Sequence, residues 1–216
     1  MTEKTFGKYM VIEGPIGVGK TSFIELVSRE FNFRPALEIV EENPFLSRFY
    51  KEMKSYAFQT QLFFLLNRYK QQQELFQQDL FSKGIICDYM FEKDRIFAYL
   101  NLDDNELNLY EKIYSILKVQ VPKPDLVVYL QASTDTLMRR IKLRGRPFEK
   151  AITYEYIDKV NKAYNQYFLN YTESPLLIVS TNEIDFVHHF GDLQDLISTI
   201  KDMKTGTKYY LPVTTL

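Results

Sequence analysis

The clearest chemistry in the sequence lies near its amino terminus. The pattern G-x-x-x-x-G-K-[ST], between a predicted strand and a predicted helix, is matched in full by Gly14-Pro15-Ile16-Gly17-Val18-Gly19-Lys20-Thr21. Glycines let backbone N–H groups wrap an anion, and the start of the helix, continued by Ser22, adds partial positive charge. We expect Lys20 to neutralise β- and γ-phosphate charge and the Thr21 hydroxyl to ligate Mg²⁺. The segment predicts a site for the phosphates of ATP.

A second basic segment, residues 139–150, follows far along the chain. Arg140 and Arg144 are four residues apart, so a helix would present both guanidiniums on one face. Gly145 and the proline after Arg146 should end that helix and leave Arg146 on a mobile segment. Guanidiniums on a closing segment can balance the charge of a transferring phosphoryl group once water is excluded. We therefore interpret this segment as an arginine lid rather than a solvated helix face.

Acid–base chemistry must fall to carboxylates, because the chain has one cysteine, Cys87, and two histidines, His188 and His189. Glu38 lies on the second predicted strand and Asp88 ends the third. Carboxyl ends of parallel strands face the phosphate loop. One acid could take the proton of an attacking hydroxyl and the other could hold Mg²⁺ through water. Glu38 is the favoured base, although the reverse assignment and a salt-bridge role for Asp88 remain open.

The predicted helix beginning near residue 56 offers an acceptor surface. Gln59, Phe63 and Leu66 fall on one face at 100° per residue. An amide amid apolar side chains suits the edge of a purine base. The alternative is an ordinary helix in which one polar residue has a hydrogen-bond partner. These three residues therefore indicate a base-binding surface only in combination with the other motifs.

These side chains must be positioned by alternating strands and helices. The predicted strands are short apolar runs: 9–13, 37–40, 85–88, 126–130 and 176–180. Amphipathic helical stretches lie between them, so an α/β fold with a five-stranded parallel sheet flanked by helices is expected. We find no linker or repeat. Residues 1–204 are predicted to form one domain and residues 205–216 a loose tail.

Composition excludes several function classes. The net charge is −1, which argues against a nucleic-acid partner or a membrane-binding patch. The single cysteine excludes an internal disulfide framework and suits a reducing compartment. The amino terminus has no signal-peptide pattern, and no apolar run is long enough to span a bilayer. We therefore expect a cytoplasmic protein. The GTPase motifs D-x-x-G and N-K-x-D are absent, which favours a small-molecule kinase.

Read together, these segments resemble the deoxynucleoside kinases, specifically the bacterial deoxyguanosine/deoxyadenosine kinase branch. The resemblance covers nearly the whole chain. It is carried by EGPIGVGKTS (13–22), EIVEENPFLSRFY (38–50), YAFQTQLFFL (56–65), CDYMFEKDRIFAY (87–99), PKPDLVVYLQAS (122–133), RRIKLRGRPFEK (139–150) and NEIDF (182–186). It implies ATP-dependent phosphorylation of a deoxynucleoside 5′-hydroxyl in nucleotide salvage, with Mg²⁺, on a P-loop kinase fold that usually forms homodimers.

The resemblance also assigns residues on the acceptor side. Glu38 matches the acid at the 5′-hydroxyl, and Tyr50 and Glu149 match the pair that binds the sugar 3′-hydroxyl. The family's acid-Arg-Ser position is Asp88-Tyr89-Met90 here, which keeps the acid and lacks the arginine. Tyr89 is expected to contact the substrate.

The remaining assignments concern the base and the ATP. Gln59 matches the base-reading glutamine. Leu66 stands where pyrimidine-accepting relatives carry arginine or methionine, and Asp94 matches the acid that pairs with that arginine. An unpaired Asp94 beside Leu66 predicts a preference for deoxyguanosine or deoxyadenosine over thymidine, unless Asp94 pairs with Arg95 or Lys93 instead. The resemblance further places Arg140, Arg144 and Arg146 in the lid, and Asp185 and Phe186 beside the ATP adenine.

Two alternatives belong to other classes. A nucleoside-monophosphate kinase of the thymidylate type shares the phosphate loop and the lid, but a phosphorylated acceptor would need a basic group near Glu38, where three glutamates stand. A catalytically inactive kinase-like scaffold is the other alternative. The intact Lys20, Thr21, Glu38 and Arg144 argue against it.

Overall fold

The computed structural model describes residues 7–77, 83–182 and 190–211. Strands and helices alternate along most of the chain. In chain order they are β1 (Tyr9–Glu13), α1 (Lys20–Phe31), β2 (Arg34–Ala36), α2 (Leu46–Phe49), α3 (Met53–Gln77), β3 (Ile85–Cys87), α4 (Lys93–Asn101), α5 (Asp104–Lys118), β4 (Leu126–Gln131), α6 (Thr134–Arg144), α7 (Tyr154–Leu169), β5 (Leu176–Ser180), α8 (Phe190–Lys201) and β6 (Thr207–Tyr210).

All strands of the sheet are parallel, in the order β2-β3-β1-β4-β5-β6. The predicted α/β architecture is confirmed, with six strands instead of five. The additional strand is β6, which pairs with β5 from Leu176↔Thr207 to Val179↔Tyr210. It lies within the predicted tail. No apolar run marks this edge strand, because only Tyr210 of it is buried.

The second strand lies earlier in the chain than its apolar run suggests. The run 37–40 predicts a strand, whereas β2 is Arg34–Ala36. Its partner β3 is only three residues long, so pairing ends at Ala36↔Cys87. The Asp88 carboxylate then accepts the backbone N–H of Glu38, with 2.7 Å between the atoms. Glu38 therefore lies on the segment that follows the strand.

Local sequence signals fix the helices that surround the site. Asp103 and Glu106 form a capping box at the start of α5. Ser133 and Thr153 cap α6 and α7 through their side-chain oxygens. Gly145 ends α6 with φ of 66°, in the left-handed region that glycine adopts without strain. The arginine segment is thus a helix that stops at Gly145, as the sequence predicts.

The main core lies between the sheet and its helices. β1 and β3 are buried along their whole length, and the inner residues of β4 and β5 are fully buried. A smaller apolar cluster joins α3, α4 and α5. Its buried members are Leu65, Phe91, Ala98, Tyr110 and Tyr114. In the residues that the structure describes, no helix combines the length and apolarity needed to cross a bilayer.

Candidate active site

A cavity of about 860 Å³ opens where β1, β2, β3 and β5 end. Seven parts of the chain line it: the phosphate loop, residues 38–50, the middle of α3, residues 88–97, the end of α6 with the turn after it, α7, and Asn182 after β5. The lining residues include Ile16–Ser22, Glu38, Tyr50, Gln61, Phe64, Arg68, Asp88, Lys93, Arg140, Arg144, Arg146 and Glu149. Most of the predicted chemistry therefore converges on one space.

The phosphate loop joins β1 to α1 in the predicted strand–loop–helix setting. Lys20, the first residue of α1, donates from Nζ to the carbonyl oxygen of Gly14 at 2.7 Å and to that of Pro15 at 3.3 Å. Burial and the nearby Lys93 lower the pKa of Lys20 to about 8. The lysine is thus held across the loop, at the rim of the cavity that Thr21 and Ser22 also line.

The loop packs directly against the lid helix. A Cβ added at Gly17 would lie 2.7 Å from Ile141 Cγ1 and 2.8 Å from the carbonyl oxygen of Leu137, and φ there is 86°. Only glycine permits that approach. Arg140 on the same helix donates to the carbonyl oxygen of Val18 at 3.0 Å and to that of Thr181 at 2.7 Å. Arg140 therefore ties the phosphate loop to the end of β5.

The other two predicted lid arginines also lie on the cavity wall, each held by a carboxylate. Arg144 Nε donates to Glu149 Oε2 at 3.2 Å. Arg146 Nη2 lies 3.3 Å from Glu41 Oε1. Both guanidiniums are about one-third exposed. Arg146 can exchange Glu41, which is about half exposed, for phosphate oxygens at little cost, because exposed ion pairs are weak. The partner of Arg144 is the buried Glu149.

Glu38 occupies the opposite, interior side of the cavity. Arg68 Nε donates to its Oε1 at 2.6 Å, and Lys93 Nζ donates to its Oε2 at 2.8 Å. Although burial alone would raise the pKa of Glu38, these two cations lower it to about 2. The carboxylate is therefore ionised at neutral pH.

Asp88 has a different environment although it lies beside Glu38. Burial raises its pKa, while Lys93 acts in the opposite direction. Its Oδ1 accepts the Glu38 backbone N–H. The residue lines the cavity beside Glu38.

The face of α3 that the sequence predicts to bind the acceptor is not the face that lines the cavity. Gln59 is exposed, Leu66 is 47% exposed, and Phe63 packs edge-on against Phe45 instead of lining the cavity. The residues of α3 that line it are Thr60, Gln61, Phe64 and Arg68. Gln61 and Arg68 are seven residues apart, as are Gln59 and Leu66, so both pairs define a helix face. Apolar and polar residues are both spread around α3, so the helical period alone cannot select the face that turns inward.

Two further predictions about the acceptor side, for Asp94 and Tyr89, are wrong. Asp94 is fully buried and forms an ion pair with Arg68, so it is not the unpaired acid that the Leu66 alignment required. Its Oδ2 has no hydrogen-bond partner among the described residues. Tyr89 is buried and donates from its hydroxyl to Gln71 Oε1 at 2.7 Å, away from the cavity lining. The sequence analysis did not single out Arg68, because it lies two residues beyond Leu66, where the predicted stripe ends.

Tyr50 and Glu149 do lie together on the cavity wall. Both are buried, and the negative charge of Glu149 is one of the causes, after burial, that raise the pKa of Tyr50. Tyr156 packs edge-on against the Tyr50 ring with 6.1 Å between centroids. The pair predicted to meet one sugar hydroxyl is thus adjacent in space, although 99 residues separate its members in the sequence.

Glu13 is a site-forming residue that the sequence reading missed. It ends β1, is fully buried, and accepts the backbone N–H groups of Gly14 at 3.0 Å and Met90 at 2.8 Å. Burial raises its pKa. Its carboxylate joins the first residue of the phosphate loop to the segment after Asp88. The available signal was a charged residue inside a strand that is otherwise buried and apolar.

The predicted adenine-lining residues Asp185 and Phe186 lie outside the described residues. No group of three or more His, Cys, Asp or Glu side chains in residues 7–77, 83–182 and 190–211 could hold a metal ion by itself. The oxygen donors that face the phosphate loop are the Thr21 hydroxyl and the carboxylates of Asp88 and Glu38.

Comparison with known proteins covers almost the whole chain. A sequence model described as deoxynucleoside kinase matches residues 10–204. A deoxyguanosine kinase of Bacillus subtilis is 38% identical over 90% of this chain and 97% of its own. A deoxyadenosine kinase of Dictyostelium discoideum is 34% identical, covering 90% of this chain and 78% of its own. A structure of the M. mycoides deoxyadenosine kinase with products dCMP and dCDP bound has a TM-score of 0.75 and 30% identity, covering 88% of this chain and 96% of that one.

Proposed function

The chain belongs to the deoxynucleoside kinase family, and on that premise we propose that it transfers the γ-phosphoryl group of ATP to the 5′-hydroxyl of a purine deoxynucleoside, as part of nucleotide salvage. One observation carries this proposal. A complete phosphate loop with Lys20 and an ionised, buried carboxylate, Glu38, face the same cavity of about 860 Å³. A space of that size would hold a donor and an acceptor together, which phosphoryl transfer requires.

On the donor side, the phosphates of ATP would lie on residues 14–22. The start of α1 and Lys20 supply positive charge there. Arg144 and Arg146 would leave their carboxylate partners to meet the transferring group, while Arg140 keeps the loop in place. Asp185 and Phe186 remain the proposed neighbours of the adenine.

The donor set at this site fits Mg²⁺. Magnesium prefers oxygen ligands and is often held by one or two protein oxygens together with substrate phosphates. Thr21 and Asp88, which both line the cavity, carry such oxygens. When bound, the ion would neutralise charge on the β- and γ-phosphates. We propose that Thr21 and Asp88 hold it, Asp88 through water.

On the acceptor side, Glu38 would orient the 5′-hydroxyl and take its proton. A pKa of about 2 makes Glu38 a weak base. Transition states of phosphoryl transfer are loose, however, so positioning and charge matter more than base strength. Tyr50 and Glu149 would bind the sugar 3′-hydroxyl.

The base would lie against α3, where Gln61 replaces the predicted Gln59. Gln61 can both donate and accept hydrogen bonds, and Arg68 can donate only. Guanine presents a carbonyl oxygen and a ring N7 as acceptors, which suits an arginine. The relatives' names support a purine acceptor, since they include deoxyguanosine kinases and deoxyadenosine kinases. Gln61 and Arg68 thus replace Leu66 and an unpaired Asp94 as the residues proposed to select a purine base.

Three broader proposals accompany the activity. We propose that residues 1–204 act as one catalytic domain, to which β6 adds an edge strand. We propose a homodimer, as is usual in the family. We also propose that the protein works in the cytoplasm with small-molecule substrates and without nucleic acid or membrane partners, which its balanced charge supports.

A panel of acceptors tests the activity. Deoxyguanosine, deoxyadenosine, deoxycytidine, thymidine and dGMP are each incubated with Mg-ATP, and kcat/KM is measured for each. We expect a purine deoxynucleoside to give the highest value and to form a 5′-monophosphate. A higher value for deoxycytidine or thymidine would overturn the purine preference. Phosphorylation of dGMP in place of the nucleosides would favour the monophosphate kinase, for which Arg68 and Lys93 near Glu38 supply the basic groups that the sequence reading did not foresee.

A further inference from the structure

Lys93 is a buried cation at a position where a positive charge is energetically unfavourable. It is the first residue of α4, where the helix dipole disfavours positive charge. Its side chain is only 8% exposed. Taking an ammonium out of water costs free energy unless the charge is paired or used. The charge of Lys93 is paired with Glu38, and both residues line the adjacent cavity, so the lysine belongs to the site.

The ammonium faces the cavity between the donor and acceptor sides. Its Nζ lies 2.8 Å from Glu38 Oε2, and this is its one hydrogen bond within the described part of the chain. An ammonium carries three N–H donors, so two can point elsewhere. Lys93 lines the same cavity as Lys20 and Thr21, which hold the phosphate end of the site.

The surrounding charges keep Lys93 protonated. Burial and Arg68 on α3 lower its pKa, but Glu38, Glu13 at the end of β1 and Asp88 after β3 outweigh them and raise it. A protonated lysine with spare donors, next to the acceptor carboxylate, is placed to meet negative charge that develops beside Glu38.

We propose that Lys93 is a further catalytic residue, whose ammonium donates to the oxygens of the phosphoryl group as that group moves from ATP to the acceptor. The inference rests on the proposed kinase function and adds a second fixed cation to Lys20, on the other side of the transferring group. Charge that is fixed in advance where the transition state needs it costs no reorganisation during the reaction.

The step balances without a change in Lys93 itself. The acceptor 5′-oxygen bonds to the γ-phosphorus while the bond from that phosphorus to the β,γ-bridging oxygen breaks. The hydroxyl proton passes to Glu38, and ADP leaves with the electron pair of the broken bond. Lys93 keeps its protons and contacts both Glu38 and a non-bridging oxygen.

The first measurement is kcat with a saturating deoxynucleoside and Mg-ATP. Lys93→Met should lower kcat by about 10²–10³, as loss of one preorganised donor does in other enzymes. Lys93→Arg, which keeps the charge, should recover at least about tenfold of that loss. Lys93→Gln can still donate a hydrogen bond to Glu38 but is uncharged, so it should be as slow as the methionine variant. The matched control is Lys162→Met, since Lys162 pairs with Asp158 at 2.6 Å on the surface; it should keep wild-type kcat.

Binding of a transition-state mimic separates catalysis from structure. Mg-ADP with aluminium fluoride and deoxyguanosine imitates the planar transferring group. Lys93→Met should weaken this complex by about 10²-fold, yet bind Mg-ADP alone and deoxyguanosine alone within about threefold of wild type. A lysine that merely supports the fold would weaken all three complexes alike, and that result would overturn the proposal.

A double substitution tests whether Lys93 acts only through Glu38. In a Glu38→Gln background, Lys93→Met should lower the single-turnover rate by at least about tenfold more. No further loss would make Lys93 a positioning residue for Glu38 and contradict direct contact with phosphate. Failure of the wild-type protein to phosphorylate any deoxynucleoside would refute the proposed function itself. An active wild type with unchanged rates in Lys93→Met would refute this inference alone.

Discussion

The donor and acceptor sides of the cavity hold their charges in different ways. On the donor side, Arg144 and Arg146 pair with single carboxylates and remain about one-third exposed. On the acceptor side, the side chains of Glu38, Arg68, Lys93 and Asp94 are all less than one-tenth exposed and form one continuous network. The donor side can therefore rearrange when ATP arrives, whereas the acceptor side is built as part of the interior.

This difference implies two kinds of dependence on charge. Arg146 can be removed with little effect on folding, because its partner Glu41 is about half exposed and water can solvate it. An acceptor cation cannot, because its carboxylate partners are buried. The acceptor network should thus influence both catalysis and stability, while Arg146 should influence catalysis alone.

The largest expected effect follows from removal of the acceptor carboxylate. Glu38→Gln keeps the shape and removes the proton acceptor, so kcat should fall by about 10²–10⁴. Glu42→Gln, on an exposed residue four positions later, serves as the control and should keep wild-type kcat. If Glu38→Gln retains full kcat while Asp88→Asn abolishes it, the base and metal roles of these two acids are exchanged.

Arg68→Met compared with Arg146→Met tests the stability contrast directly. Arg68→Met leaves Glu38 and Asp94 buried with less compensating charge, and breaking such a network costs about 3–5 kcal/mol. Arg146→Met removes a half-exposed pair with Glu41 and should change the free energy of unfolding by less than about 1 kcal/mol. Urea unfolding of both variants measures these values. If both variants lose the same free energy of unfolding, the acceptor side does not depend more strongly on its buried charges than the donor side does.

Gln61→Leu and Gln59→Leu form a second matched pair, two residues apart on α3. Gln61 is 2% exposed and lines the cavity, whereas Gln59 is exposed. Losing a hydrogen-bond partner for the base costs roughly 1–3 kcal/mol, so Gln61→Leu should lower kcat/KM for the preferred nucleoside by about 10- to 100-fold. Gln59→Leu should leave it unchanged. The reverse outcome would restore the face of α3 that the sequence suggested.

The phosphate loop and the lid helix have the local structure that the sequence predicts, because each is one contiguous segment. Residues 14–21 form a loop whose contacts lie largely within the segment, for example from Lys20 to Gly14 and Pro15. Gly145 ends the lid helix because glycine adopts the left-handed conformation without strain. The parallel arrangement of the sheet could also be predicted, since short apolar strands alternate with helices along the sequence. The edge strand β6 was not, because three of its four residues are exposed and give no apolar signal.

The acceptor side was harder because distant segments assemble it. Glu38, Gln61, Asp88 and Lys93 come from different elements, and each depends on where its element begins and which face turns inward. β2 ended before Glu38, and α3 turned Gln61 inward in place of Gln59. A helix whose apolar and polar residues are not separated onto two faces has no preferred face in its sequence. Its rotation is fixed by contact with α2, α4 and α5.

The smallest expected effect is a pH dependence that should differ between the two sides. Glu38, with a pKa lowered to about 2 by Arg68 and Lys93, stays ionised from pH 5 upward. It should produce no acid limb in kcat/KM for the nucleoside. Lys20 has a pKa lowered to about 8 by burial and by Lys93, against the opposing effects of Glu13, Asp88 and Glu38.

The protonated form of Lys20 is the one that attracts phosphate, and it is lost as pH rises through about 8. Measured kcat/KM for ATP should therefore fall roughly tenfold per pH unit above that value. Lys20→Arg supplies the control, because an arginine keeps its proton throughout this range. Its kcat/KM for ATP, whatever its absolute value, should be flat from pH 7 to 9.5. An alkaline limb that persists in Lys20→Arg would assign the titration to another group and remove this difference between the two sides.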